Sequence, residues 1–241
     1  MVAAFLSNWA QIPKQRVDGW SLSVVALCGF LLGPVIALLI TAFGDSGGLW
    51  AHLASTVLGK YVGNTLILMM GVGALAILFG VSSAWVITRY EFAGRGWFEW
   101  MLLLPAAIPA YIIAYTYTDF FEYAGPVQTA LRGFFGWQSA RDYWFPEIRS
   151  LGGATLVMAS VLYPYIYMVT RIAFRLTSAS LFEIALVHNK SQFWTVGLPL
   201  ARPAIMAGLA LVLMEVVSDF GTVEYFAIET ITLGIFNVWL G

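Results

Sequence analysis

Ser180-Leu181-Phe182-Glu183-Ile184-Ala185-Leu186-Val187-His188-Asn189-Lys190, continued by Phe193-Trp194 and by Leu198-Pro199-Leu200-Ala201-Arg202-Pro203, is a polar, helix-forming insert between two long apolar segments. Ser180 and Glu183 have the spacing of a capping box, in which each side chain satisfies a free amide at a helix start. Asn189 tolerates the left-handed conformation that ends a helix, and Pro199 and Pro203 bar an uninterrupted helical run into the next apolar segment. The expectation is a short helix, a turn and a second short helix. The flanking segments are long and apolar enough to be membrane spans, so this insert fixes where the chain turns back at one membrane face.

Composition agrees with that reading. The chain is 60% hydrophobic, 16% aromatic and 10% charged, with mean hydropathy +0.82, far from the roughly one quarter of charged residues in soluble domains. This is an integral membrane protein. A net charge of −1 without a dense Lys/Arg cluster gives no sign of a nucleic-acid partner, and none is expected. Cys28, the single cysteine, lies in an apolar run and permits neither an internal disulfide nor a cysteine metal site.

In chain order, the first span is expected over 20–43, after Lys14 and Arg16, with Gly33-Pro34 as a kink; it is too long for the apolar core of a cleaved signal, which is about 7–15 residues. A polar linker over 44–63 has room for a short interfacial helix. The second span, 64–87, interleaves Gly71, Gly73 and Gly80 with large apolar residues, and small residues let helices approach closely in lipid. The third, 99–118, contains Pro105 and Pro109 and is expected as a kinked, protein-facing helix. A polar stretch over 119–150 precedes the fourth span, 151–170, and the loop 171–203 leads to the fifth, 204–226. Beyond Thr230 the remaining residues reach about 18 Å if helical, short of the roughly 30 Å of a bilayer core, so no sixth span is expected. The fold class is all-α: a polytopic membrane helix bundle of about five transmembrane helices, forming one domain over 1–241 that is incomplete at its C-terminal end.

Charge sets the orientation. With five spans, Lys14, Arg16, Arg89, Arg95, Arg171, Arg175, Lys190 and Arg202 share one side, against Lys60, Arg132, Arg141 and Arg149 on the other. The richer side belongs in the cytoplasm, which places the N-terminus and the loop 171–203 there.

The insert resembles the "EAA" loop of the inner-membrane permease subunits of binding-protein-dependent ABC importers. The usual Glu-Ala-Ala, Gly and apolar-x-Leu-Pro places fall on Glu183-Ile184-Ala185, on Asn189 and on Val196-Gly197-Leu198-Pro199. Asn replaces Gly at 189, and the loop is about three residues shorter than the family pattern, nearly one helical turn. The segment Leu198 to Ile205, with Met214-Glu215-Val216-Val217-Ser218-Asp219-Phe220-Gly221, is similar to the ferric-iron type, whose permeases often fuse two homologous halves. The chain looks like the first half without its last helix. The resemblance implies a bundle of the type I ABC importer permease kind in a bacterial inner membrane. It also implies an ATP-binding subunit in two copies, a periplasmic binding protein, a second permease half or chain, and lipid around the spans. The loop would dock on the ATPase through Phe182, Glu183, Ile184, Ala185, Asn189, Phe193, Leu198 and Pro199, with Phe182, Ala185 and Phe193 as its apolar contacts.

No Gly-x-x-x-x-Gly-Lys-Ser/Thr run is present, so the chain is a transport subunit and not an enzyme, and ATP hydrolysis falls to a partner. No cofactor is implied in this chain. Glu215 and Asp219, four residues apart, are expected on one face of the fifth span, where membrane carboxylates face the bundle interior or a water-filled cavity. With the phenols of Tyr163 and Tyr165 they suggest a transient oxygen ladder for a ferric ion. The blander alternative is that both acids make structural hydrogen bonds. Permeases for thiamine, phosphonate, sulfate or polyamine share the loop, and a proton-coupled secondary transporter would use the acids differently. Lacking a last helix, the bundle is expected to leave the faces of Gly71, Gly73, Gly80 and Gly208 without partners.

Overall fold

The computed structural model describes residues 18–43 and 48–240. Lys14 and Arg16, Asp45 and Gly47 lie outside the described residues. The chain divides into two units at Leu53/Ala54. In the first, α1 (Gly19–Ala42) starts where Asp18 Oδ1 accepts hydrogen bonds from the Ser21 amide at 3.0 Å and its hydroxyl at 2.7 Å, and it continues through Pro34 as one 24-residue helix. The linker forms α2 (Leu49–Thr56), the short helix for which it had room.

The second unit is built on three long helices, α3 (Leu58–Arg89), α7 (Leu151–Leu176) and α9 (Leu198–Ser218). Their contact is an apolar seam of Leu68, Val72 and Ala76 with Val157, Met158 and Ile166, joined by Val212 and Val216. Lipid supplies no hydrophobic drive to bring helices together, so association rests on close packing. The glycines provide it. A Cβ on Gly71 would lie 2.7 Å from Thr155, and one on Gly73 3.1 Å from Leu209; on Gly80 and Gly208 it would meet Ile166 at 2.9 and 2.8 Å. This corrects the expectation that these faces lack partners, because α7 and α9 of the same chain fill them.

Prolines decide where the remaining helices break. The helix expected over 99–118 is interrupted: α4 (Arg95–Met101), a 3-10 turn (Leu104–Ala107) and α5 (Ala110–Phe121) succeed one another. Arg95–Ala107 meets Ala110–Phe135 at a bend of 100°. Pro105 and Pro109 lack amides to continue the ladder, and Pro109 drives Ile108 into extended backbone (φ −111°, ψ 127°). After α6 (Pro126–Phe135), Ser150 caps α7 by accepting the Gly153 amide at 3.1 Å; α7 carries Pro164 internally and runs past Thr170 to Leu176. Pro199 and Pro203 act otherwise than expected. Pro199 has no amide for the Thr195 carbonyl, and the preceding turn, Phe193–Gly197, widens to π geometry, with the Leu198 amide donating to the Phe193 carbonyl. The helix then continues, so no second short helix stands apart from the span. The helix long and apolar enough to be the fifth span accordingly covers 193–218, whereas the expectation was 204–226, and α10 (Gly221–Tyr225) and α11 (Ile231–Leu240) come after it. Among the described residues four helices are long and apolar enough to cross a membrane, or five if the bent pair counts as one span. The architecture is the all-α, polytopic bundle expected.

Candidate functional site

The insert forms α8 (Ala179–Val187), joined to α7 through Thr177 and Ser178. Ser178 is the N-cap residue and its hydroxyl pairs with that of Ser180 at 2.8 Å. Ser180 and Glu183 therefore both lie inside the helix and form no capping box. The C-terminal end agrees with the sequence reading. Asn189 adopts φ 52°, its amide donates to Leu186 O at 2.9 Å, and the Lys190 amide donates to Ala185 O at 2.8 Å. This paired closure is a Schellman motif with Asn in the place Gly usually fills.

Which face of α8 is free was not legible from its sequence. Phe182 is 1% exposed and Ala185 is buried, both turned into the protein, and Phe193 is half-buried. For Phe182 and Ala185 the expectation of apolar contact with a partner is corrected, while Phe193 keeps part of its surface. The outward face carries Leu181, Ile184 and Val187 at helical spacing, with Val187 83% exposed, and Trp194 of the following turn is exposed as well. Glu183 and Asn189 are exposed, whereas Leu198 and Pro199 are half-buried.

The inward face packs on the end of α3. The Trp85 ring lies 5.3 Å from Phe174, 6.0 Å from Phe182 and 5.0 Å from Phe193, centroid to centroid. One turn on, the Arg89 guanidinium sits 4.0 Å over the Phe182 ring and donates to Gln192 Oε1 at 3.1 Å, while Gln192 Nε2 donates to Phe182 O at 3.1 Å. Nearby, Glu99 of α4 forms ion pairs with Arg171 and, at 3.3 Å, with Arg175 of α7, and its carbonyl accepts from the Tyr167 hydroxyl at 3.3 Å. The sequence pattern did not mark Trp85, Arg89 and Glu99 as site residues. A Trp and an Arg four apart at the end of an apolar run was the available signal.

The carboxylates of the fifth span are placed differently from the expected ladder. The helix ends at Ser218, and Asp219 (φ −66°, ψ 126°) is its C-cap. Asp219 Oδ1 accepts from the amides of Thr222 and Val223 at 2.9 and 3.2 Å, and Oδ2 from the Thr222 hydroxyl at 3.1 Å, so this carboxylate organises α10. Glu215 remains on α9, half-buried. Tyr163 is half-buried with its ring edge-on to Phe79 at 6.4 Å, and Tyr165 packs against the core. Among the described residues no three His, Cys, Asp or Glu side chains converge as metal ligands. At the other end of α7, an open cavity of about 590 Å³ is lined by Glu122, Tyr123, Gln128, Tyr143, Trp144 and Arg149 among others. Arg149 Nε donates to Glu122 at 2.6 Å, and the Tyr143 hydroxyl donates to Gln128 Oε1 at 2.6 Å.

Residues 76–237 match the family described as binding-protein-dependent transport system inner membrane component. The chain is 26% identical over 183 residues to the Fe(3+)-transport system permease protein FbpB 2 of Haemophilus influenzae, covering 75% of this chain and 31% of that protein. It is 27% identical over 208 residues to the probable sulfate transport system permease protein cysT of Nephroselmis olivacea, covering 85% and 70%. With the molybdenum transport system permease protein ModB of Escherichia coli K12 the figures are 26% over 163 residues, 65% and 68%. The chain thus spans less than a third of the iron-transport relative and about two thirds of the other two. With its membrane-length helices and a family match over more than half of its length, the chain is a multi-pass inner-membrane protein that belongs to the inner-membrane components of binding-protein-dependent transport systems.

Proposed function

We propose that this chain is the permease subunit of an ATP-driven importer, docking through the outward face of α8 on an ATP-binding subunit present in two copies. A binding protein delivers cargo at the opposite end, and a second permease half or chain completes the path. The observation that carries the reading is the apolar stripe Leu181, Ile184 and Val187 on a short helix at the charge-rich end of the bundle. Burying such side chains in a partner groove gains about 25 cal/mol per Å². Having no phosphate loop, the chain leaves hydrolysis to the partner.

For the cargo we propose ferric iron. The likeness to the iron-transport permease supports this, as does Glu215, a half-buried carboxylate of the kind that marks ion pathways in membranes. A second reading, a tetrahedral oxyanion, is favoured by the likeness to the sulfate relative, which aligns over 85% of this chain against 75% for the iron-transport permease.

The test co-expresses the chain with an ATP-binding subunit and a binding protein from a transport system of this family. Ile184→Asp and Val187→Asp should each abolish co-purification of the ATPase, since an unpaired charge in an apolar contact costs several kcal/mol; unchanged co-purification removes α8 as the docking element. Uptake of labelled ferric iron, sulfate and molybdate into the same cells then decides the cargo.

A further inference from the structure

We propose that Trp85 and Arg89 form a rigid joint that carries displacement of α8 into α3, with Arg89 as the positioning residue that locks it. The proposal rests on the reading of α8 as the docking element. Trp85 and Arg89 lie four residues apart on one face of the last turns of α3. Around the Trp85 indole three other elements converge: Phe174 from α7, Phe182 from α8 and Phe193 from the π turn. The fit is close, because a Cβ on Gly197 would come within 2.6 Å of the indole.

Arg89 closes this cluster with a ring of contacts. From α3 it reaches Gln192 Oε1, Gln192 reaches back to the Phe182 carbonyl of α8, and the Phe182 ring returns under the guanidinium at 4.0 Å. The Arg89 Nε is buried and makes no hydrogen bond. Burying part of a cation this way is unfavourable unless the ring face beneath it replaces lost hydration, and a desolvated cation–π contact is the strong kind. A guanidinium that served only as a basic group at a helix end would be better placed in water.

Two geometric facts give the joint a mechanical role. α8 is joined to α7 through Thr177 and Ser178, neither in helical backbone (ψ 127° and 134°), and through residues 188–192 to the π turn that opens α9, so its ties to α3 are side-chain contacts. α3 is a single 32-residue helix, about 48 Å long, that packs along α7 and α9 through Gly80 and Gly73. A push on α8 is therefore delivered through the Trp85–Arg89 contacts to a helix of membrane-spanning length.

Amide hydrogen exchange on the purified full chain tests the joint without any partner. Arg89→Ala should speed exchange of the 182–188 amides about tenfold while the mid-α7 amides stay unchanged, and Arg89→Lys, which keeps the cation over the ring, should restore part of the protection. In the importer assembled with its ATP-binding subunit, Arg89→Ala should still bind the ATPase yet lose most of the stimulation of ATP hydrolysis by cargo-loaded binding protein. Unchanged exchange, retained stimulation or lost ATPase binding in Arg89→Ala each overturn the proposal. If the wild-type chain binds no ATPase, the docking reading fails, and the exchange result still stands or falls by itself. Should Arg89→Ala not accumulate, Gln192→Leu opens the same ring from its other side; wild-type exchange or stimulation in that variant is equally fatal.

Discussion

At Ile166 three helices meet, and it shows what single residues decide in this bundle. Gly80 of α3 approaches its side chain and Gly208 of α9 approaches its Cα. A methyl group at 208 would lie 2.8 Å from a backbone atom that cannot rotate away, so the helices must part. Gly208→Ala is expected to cost about 1–3 kcal/mol, as overpacking does, and to lower the thermal unfolding midpoint in detergent. Gly59→Ala, where nothing lies within 4 Å of the added carbon, should be neutral or slightly stabilising. Equal midpoints for the two variants would show that the seam is looser than its geometry. The contrast between Asn189 and Phe182 belongs to this scale too. Asn189 could be read as a helix stop because its tolerance of positive φ is a property of the residue itself. Phe182 could not be placed, because facing a partner or facing Trp85 depends on a residue nearly a hundred positions away.

Among the elements, the broken segment α4–turn–α5 depends on ties outside itself. α4 is only seven residues long, too short to persist alone. Glu99 fixes it to α7 through Arg171 and Arg175, and the first pair is largely shielded, with side chains 22% and 14% exposed. A pair in that setting lies between the small value of surface ion pairs and the larger loss on breaking buried ones. Glu99→Gln is thus expected to destabilise by about 2 kcal/mol. The double-mutant cycle with Arg171→Gln should return a coupling of at least about 1 kcal/mol, measured by unfolding in detergent; a coupling near zero would mean that Glu99 does not hold α4. The break itself was half legible. Pro105 and Pro109 announce an interruption, but the 100° bend reflects what α4 and α5 each pack against. At α9 the same residue type gave the opposite result, since one widened turn absorbs Pro199 and the helix runs on.

For the whole molecule the charge count makes an orientation testable. α7 separates residue 140 from residue 190, so the two must face opposite sides if α7 crosses the membrane. In a Cys28→Ser background, a membrane-impermeant maleimide should label Ala140→Cys from outside intact spheroplasts, and Lys190→Cys only in inverted vesicles. The reverse pattern would put α8 on the outer side and exclude docking on a cytoplasmic ATPase.

The sequence by itself determined the class of this protein, the approximate spans and the place of the insert, because hydropathy over about twenty residues and the sign of loop charges are sums of local properties. It also determined the helix stop at Asn189. Only the tertiary structure decided which side of α8 is free and that the glycine faces are filled from within the chain. Each of these depends on pairs of residues far apart in the chain, Trp85 with Phe182 or Gly208 with Ile166. A helical pattern fixes which residues share a face, but not what that face meets.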